Sequence, residues 1–326
     1  MLKSFRPLTF ALVATIVWLG VGCGFLRGSA RANDADDEAL ERKLTPIIDC
    51  INGSDKNLQE AFQEYGRLLN DIKKNPSESS ASFKMGFENI DRGHKMSLEC
   101  ASDFEMIAKQ SPKIDDIDRM TAEYAATIRA FAPLSIQADA YYRQQGYRND
   151  SWAKGKALDD QLAPLIAKLE GLSADIHKAG EREANGIHDR ALATIEAHEG
   201  KGFAWHTLHY MIEARKTLDA IEAMAESGTI SRDKVGSAVA PLQAAFEDAS
   251  AYASAHADEA KVKSGAKLPG WIWISATAGY YLKQANDLRV KLDEKNSPAN
   301  LETNFQSLVV SYNGLVDAYN NYEAQE

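Results

Sequence analysis

The chain has 326 residues, with 37 basic and 47 acidic side chains, a formal net charge of −10 and 44% hydrophobic residues. The acidic balance argues against nucleic acid and against adhesion to anionic lipid. The hydrophobic content is enough for a real core, in one large or two small domains.

The first 32 residues have the features of an export signal. Lys3 and Arg6 precede an uncharged apolar run over 8–26, and Ala30-Arg31-Ala32 offers the small residues that a signal peptidase recognises. We therefore predict a signal peptide over 1–32. This leader holds four of the 37 basic residues and no acidic one, so 33 basic and 47 acidic residues remain and the mature net charge is −14.

Two alternatives for the leader stay open. Gly22-Cys23 resembles the end of a bacterial lipobox, so a lipoprotein signal could end before Cys23 and leave it acylated, although Gly20 stands where that motif has Leu. The run of about 19 apolar residues could instead remain as a membrane anchor. All three interpretations place residues 33–326 outside the cytoplasm, in the periplasm or cell envelope.

The mature chain begins with an acidic segment over 33–40, which we expect to be a short tether, and a helical-bundle domain over 41–323 follows. Thr45-Pro46 is typical of a helix start. A loop over 74–80 should separate this first helix from a second arm that ends near Ser111. The first helix is predicted from apolar residues at every seventh position, namely Leu44, Ile51, Leu58, Tyr65 and Ile72.

The two cysteines of the mature chain lie one in each arm of this helical hairpin. Facing residues of an antiparallel hairpin have sequence numbers with a constant sum, and Cys50 and Cys100 place the fold point at residue 75, inside the predicted loop. An oxidising compartment favours their pairing. We predict a disulfide that closes a loop of about 50 residues; the alternative is two separate buried thiols.

Later helices follow the same apolar periodicity. They are expected over 114–145 with a kink at Pro133, from a turn at 146–151 to residue 197, and over 203–226, 231–257 and 271–294. A last helix is expected after a break at Asn296-Ser297-Pro298, with its apolar register running from Leu301 to Tyr322. No stretch shows sustained alternation with period two. The predicted fold class is all-α, an elongated antiparallel bundle of about eight long helices.

Three segments resemble a known family. They are Ile48-Asp49-Cys50-Ile51-Asn52, Tyr141-Tyr142 through Lys156, and Leu308 through Asn313 with Asp317-Ala318-Tyr319-Asn320. Together they resemble the YiiG-like family of bacterial envelope proteins, many of which are lipoproteins. The resemblance covers roughly residues 40–322. It implies an all-helical extracytoplasmic domain of unknown function and supplies no catalytic residues.

The strongest candidate ligand site is a group of aromatic and basic residues around the 146–151 turn. An anionic or sugar-like ligand would fit it, and the alternative is aromatic packing that fixes the turn. Trp271 and Trp273 form a second candidate, an exposed aromatic patch, unless the helix start there is buried between its neighbours. The group at the turn consists of Tyr141, Tyr142, Arg143, Tyr147, Arg148, Trp152, Lys154 and Lys156.

A metal site is a further hypothesis. His206, His209 and Glu213 could share one helix face and bind a divalent cation, with Glu196 and His198 across the Gly200 turn. The alternative is a partly buried aromatic helix start with surface histidines. The paired carboxylates at 115–116 and 159–160 fit the starts of helices better than acid catalysis.

Enzymatic chemistry has no recognisable basis in this sequence. Di-iron Glu-x-x-His pairs, a Cys-x-x-Cys-His haem site and a Gly-x-Ser-x-Gly elbow are all missing from it. We expect a non-enzymatic envelope protein that binds or scaffolds, without a cofactor. Its partner would be an envelope protein or a small ligand, with membrane contact only through a lipid anchor or an uncleaved leader. A metal-binding protein and an envelope enzyme are the alternatives.

Overall fold

A computed structural model describes residues 32–74, 98–258, 268–292 and 298–323. Helices make up most of these ranges, and no strand occurs within them, which confirms the predicted all-α fold. The predicted leader with Cys23, the loop over 75–80 and the first part of the second hairpin arm lie outside the described residues. None of the described helices has an apolar stretch long enough to cross a bilayer.

The described helices account for most of the residues in these ranges. In chain order they are α1 (Ala32–Lys74), α2 (98–107), α3 (Asp115–Arg143), a short 3₁₀ turn (Gly146–Arg148), α4 (Ala153–Glu199), α5 (Phe203–Glu226), α6 (Arg232–Ala255), α7 (Gly270–Lys291) and α8 (Pro298–Glu323).

Helix α1 begins earlier than the sequence predicts. The acidic residues 33–40, expected to form a tether, are helical, and Pro46 lies inside the helix. Thr45 is therefore not a cap, and its hydroxyl donates to the Glu41 carbonyl one turn back, at 2.9 Å. Acidic side chains favour the first turns of a helix because they face the positive end of its dipole.

The chain divides into two compact units, which we call the N-terminal unit (30–183) and the C-terminal unit (from residue 184). Helix α4 contributes its first part to one unit and its last part to the other. A single domain over 41–323 stays a prediction from the sequence.

The core of the N-terminal unit forms along the predicted apolar faces. All five heptad residues of α1 are buried. Edge-to-face ring pairs also join α1 and α2 to α3. Phe62 packs against Phe131 and Phe104 against Tyr124, each with ring centres 5.7 Å apart. α3 continues past Pro133, and its buried face includes the predicted positions Ile117 and Ala138.

The disulfide joins α1 to α2. Cys50 and Cys100 are bonded, with their Cα atoms 5.5 Å apart and 50 residues between them in sequence. This confirms the predicted pairing.

The C-terminal unit has a continuous core shared by α5, α6, α7 and α8. Two buried tyrosines cross-link α5 and α7, since the Tyr210 hydroxyl donates to the Ala278 carbonyl at 2.7 Å and the Tyr281 hydroxyl to the Ala214 carbonyl at 2.9 Å. Both tyrosine hydroxyls are thereby satisfied inside an apolar core, as burial requires.

Candidate functional site

The turn between α3 and α4 is organised by one carboxylate. Asp150 Oδ1 accepts hydrogen bonds from the Tyr141 hydroxyl at 2.8 Å and the Trp152 amide at 3.0 Å, and Oδ2 accepts from the Lys154 amide at 3.1 Å. The Asp150 side chain thus caps the start of α4, since it accepts from the amide of Lys154 in the first turn. Partial burial works to raise the pKa of Asp150, but these hydrogen bonds outweigh it and hold the pKa below its ordinary value.

The backbone of this turn adopts conformations that non-glycine residues rarely take. Gln145, Ser151 and Trp152 have φ angles of 55°, 51° and 69°, in the left-handed region. Such conformations persist only where the surroundings enforce them. The turn is therefore a rigid feature of the chain, shaped by its side-chain contacts.

Two glycines allow the aromatic rings to approach the backbone at this turn. A Cβ atom at Gly146 would lie 2.6 Å from Tyr141 Cδ2. One at Gly155 would overlap the Trp152 indole and lie 2.8 Å from Tyr141 Cε1. Any larger residue at either position would displace a ring, so the glycines fit this site for steric reasons.

The aromatic residues predicted as ligand contacts are mostly inside the protein. Tyr142 and Tyr147 are 0% and 1% exposed, and Tyr141 is also buried. The Trp152 indole N–H donates to the Tyr142 hydroxyl at 3.3 Å, and Trp152 keeps partial exposure. Tyr141 and Tyr142 are therefore packing residues and not a ligand surface, because their rings fill the space under the turn.

The basic residues of the turn lie on the outside. Arg143, Arg148, Lys154 and Lys156 are all exposed. Arg143 pairs with Asp139 at 2.6 Å, and the Lys154 ammonium lies 5.9 Å from the centre of the Tyr141 ring. The turn thus carries exposed cations above a layer of buried aromatic rings. We call Arg148, Lys154 and Lys156, with the exposed edge of Trp152, the basic turn surface.

The two tryptophans of α7 differ in their surroundings. Trp271 is 1% exposed and packs against Tyr210 and Phe246, with ring centres 5.2 and 5.4 Å away. Trp273 is 42% exposed, and its indole N–H donates to the Ala318 carbonyl of α8 at 3.1 Å. Trp271 is therefore a core residue, in agreement with the alternative of a helix start buried between its neighbours, whereas Trp273 is exposed.

The histidines proposed for a metal site lie among aromatic rings. His209 lies 4.6 Å from Trp205 between ring centres, and His206 lies 4.8 Å from Tyr252. Glu213 pairs with Lys216 at 3.3 Å. No group of three or more His, Cys, Asp or Glu side chains in the described ranges is placed to hold a metal ion. The metal site stays a prediction that this geometry does not support.

The predicted flanking residues of that metal site have other contacts. Glu196 accepts a hydrogen bond from the Trp205 indole N–H at 3.1 Å and pairs with Lys201 at 3.5 Å. His198 is exposed. Sequence reasoning missed that Tyr252, 46 positions after His206, supplies the ring against which that histidine packs.

An apolar crevice also lies in the N-terminal unit. Its free space is about 20 Å³, enough for roughly one water molecule and too little for an organic ligand. The described residues that line it are Ala61, Phe62, Tyr65, Phe131, Ser135, Ala138, Leu162 and Ile166.

Comparisons with known proteins agree with the resemblance in the sequence. The chain is 24% identical over 300 residues to "Uncharacterized protein YiiG" of Escherichia coli (strain K12), an alignment that covers 87% of this chain and 80% of that protein. No solved structure matches the chain. The model of a family described as "Protein of unknown function (DUF3829)" matches residues 38–321, nearly all of the helices described above, and the chain belongs to this YiiG-like family.

Proposed function

We propose that this chain is an exported, non-enzymatic helical protein of the cell envelope that binds an anionic ligand or partner through the basic turn surface. One observation carries the binding site: Arg148, Lys154 and Lys156 are exposed around a turn whose aromatic rings are buried beneath it. On a chain of net charge −10, a local cluster of cations attracts anions that the rest of the surface repels.

The rigidity of the turn supports a binding role. Three left-handed backbone conformations and the Asp150 cap fix the backbone that carries the basic turn surface. A preorganised surface binds more tightly because little conformational entropy is lost when the ligand docks.

The disulfide supports export. Bonds such as Cys50–Cys100 persist in oxidising compartments and are rare in the cytosol. The leader pattern over 1–32 is a second, independent argument, since it rests on charge and apolar length and not on cysteine.

Export is tested by intact-mass measurement of the protein from membrane and soluble fractions, with and without reduction. We expect a chain that starts at Asn33 and gains about 2 Da on reduction, from the two thiols of one opened disulfide. An acylated Cys23 would mean a lipid-tethered form of the same exported protein. A full-length cytosolic chain with free thiols would contradict export.

Binding is tested by titration of the folded protein with inorganic triphosphate, a polyanion that carries no sugar, followed by calorimetry at low and high salt. We expect binding that salt weakens and that the Arg148→Gln/Lys154→Gln/Lys156→Gln variant weakens at least about tenfold.

The matched control removes the same charges elsewhere, in Arg67→Gln/Lys109→Gln/Lys234→Gln, three residues that are also exposed. This control should bind like the unaltered chain. Equal losses in both variants would show a general charge effect and argue against the basic turn surface.

A further inference from the structure

A group of contacting aromatic rings lies where the start of α5 meets the end of α6. The Tyr252 ring lies between two imidazoles, stacked on His256 at 3.9 Å and tilted against His206 at 4.8 Å. Trp205 contacts His206 at 5.1 Å and His209 at 4.6 Å. These five residues are called the histidine cluster below. Three imidazoles within one group of contacting rings are an arrangement that the proposed binding function does not use.

Protonation of His206 and His209 would leave N–H donors without hydrogen-bond acceptors in the closed packing. The Nδ1 atoms of His206 and His209 are buried and have no hydrogen-bond partner among the described residues. A protonated imidazole needs an acceptor at each ring nitrogen. A buried donor without one destabilises the closed packing, so protonation favours an arrangement in which water reaches the ring.

The charges around the cluster add to this cost. Positive groups come from the other histidines, from Lys201 before α5 and from Lys216 further along α5. His206 also lies in the first turn of α5, where the helix dipole disfavours a cation. Asp248 of α6 and Glu213 of α5 oppose these groups. Glu196 of α4 is engaged with Trp205 and Lys201.

The balance of these effects is unfavourable for protonation. Burial is the largest cause that lowers the pKa of His206 and of His209, and the acidic neighbours only partly offset it. In the folded protein, His206 and His209 therefore take up protons less readily than free histidines do, and their packing loses stability as the pH falls below the pKa of an exposed imidazole.

The rest of the α5–α6 contact does not depend on the cluster. Further along α5, Tyr210 packs on Phe246 of α6, and the Thr217 hydroxyl donates to the Ala238 carbonyl of α6 at 3.1 Å. The core residues Leu218 and Leu242 are 0% exposed. An opening confined to the cluster would leave these contacts in place.

We propose that the histidine cluster is a pH-sensitive latch, which releases the start of α5 from the end of α6 in mild acid while the remainder of the C-terminal unit stays folded. The device acts within the C-terminal unit and does not rest on the ligand or the compartment proposed above. For each histidine that is neutral in the closed form and protonated in the open form, the equilibrium constant for opening rises by up to about tenfold per pH unit below the pKa of a free histidine.

Hydrogen exchange measured by mass spectrometry on the full chain, from pH 7.5 to 5.0 and corrected for intrinsic rates, tests the latch. We expect exchange over 203–209 and 250–256 to rise by about tenfold or more, while residues 214–221 stay protected. An equal rise over 214–221 would show global acid unfolding and overturn the proposal, as would the absence of any rise.

Variants then assign the effect to the cluster. His206→Gln/His209→Gln keeps polar side chains but removes two titrating groups, and it should abolish most of the acid response. His198→Gln, at an exposed position on α4, should leave it unchanged. An acid response that survives in His206→Gln/His209→Gln would contradict the proposed latch.

A second measurement needs no altered histidine. Protonated imidazole quenches a neighbouring indole, so the fluorescence difference between the unaltered chain and Trp205→Phe should fall in parallel with the exchange change. A difference that stays constant from pH 7.5 to 5.0 would overturn the proposal even if the glutamine variants failed to fold.

Discussion

The Lys43 ammonium is one of the most completely buried charges in the described part of the chain. Lys43 is 1% exposed, and its Nζ donates to the Pro112 carbonyl at 2.7 Å and the Gln110 carbonyl at 3.2 Å. The same atom pairs with Asp118 at 2.6 Å. A buried ammonium is tolerated because every one of its protons has an acceptor. One side chain thus ties α1 to the start of α3.

We expect Lys43→Met to lower the free energy of unfolding by about 3 kcal/mol, because it removes the cation that pairs with Asp118 and the donor to two carbonyls. Urea denaturation followed by circular dichroism measures this loss. The control is Lys113→Met, since Lys113 is exposed and also donates to a carbonyl, that of Ala108 at 2.7 Å. A Lys43 variant no less stable than this control would contradict the explanation.

Two glycines of α4 should respond in opposite ways to the same substitution. Gly155→Ala places a methyl group against Trp152 and Tyr141, and we expect a loss of about 1–3 kcal/mol in unfolding free energy. Gly171→Ala has open space around it in the helix and should gain about 0.5–1 kcal/mol. Thermal denaturation of both variants checks the difference. A gain at Gly155 would mean that the rings at the turn are free to move.

At the scale of elements, the bond between α1 and α2 fastens together segments that are 50 residues apart in sequence. The chain-entropy model gives a stabilisation of about 4 kcal/mol for a loop of that length. Cys100 is buried, so the bond also lies against the core of the N-terminal unit.

Reduction of the disulfide should therefore lower the unfolding free energy by about 4 kcal/mol, measured by urea denaturation with and without reductant. The Cys50→Ala/Cys100→Ala variant should show a similar loss and no further response to reductant. If the variant still responded to reductant, the loss would have to come from elsewhere than this bond.

At the scale of the whole molecule, acid should act on the two units in different pH ranges. In the N-terminal unit, ion pairs with Arg129, Arg182 and Lys168 lower the pKa values of Glu105, Asp116 and Glu123. A carboxylate with a depressed pKa contributes stability above its unfolded pKa and loses it as the pH falls further. In the C-terminal unit, the depressed pKa values of His206 and His209 act at higher pH.

We expect loss of protection at the histidine cluster of the C-terminal unit below about pH 6.5, and loss of stability in the N-terminal unit only below about pH 4.5. Hydrogen exchange resolved by unit, at pH 7.5, 5.5 and 3.5, measures both. Added salt should weaken the exposed carboxylate pairs and reduce the second step, and leave the buried histidines little affected. A single transition shared by both units would contradict this assignment.

Several features followed from the sequence alone because they depend on local geometry. A period of seven places Leu44, Ile51 and Leu58 on one face of a helix, and such a face must be buried. Likewise, facing residues of an antiparallel hairpin have sequence numbers with a constant sum, and this alone predicted that Cys50 lies opposite Cys100. The all-α fold and the family rest on patterns of the same local kind.

Tertiary structure alone decided which side chains face inward where the local pattern is ambiguous. Lysine normally lies at the surface, yet Lys43 is buried because a distant loop supplies its acceptors. At the α3–α4 turn the sequence showed rings and cations together, and only packing separated the buried Tyr142 from the exposed Arg148. His206 meets Tyr252 because α5 and α6 pair. Helical periodicity reports the faces of one segment, whereas contacts between segments depend on how those faces pack.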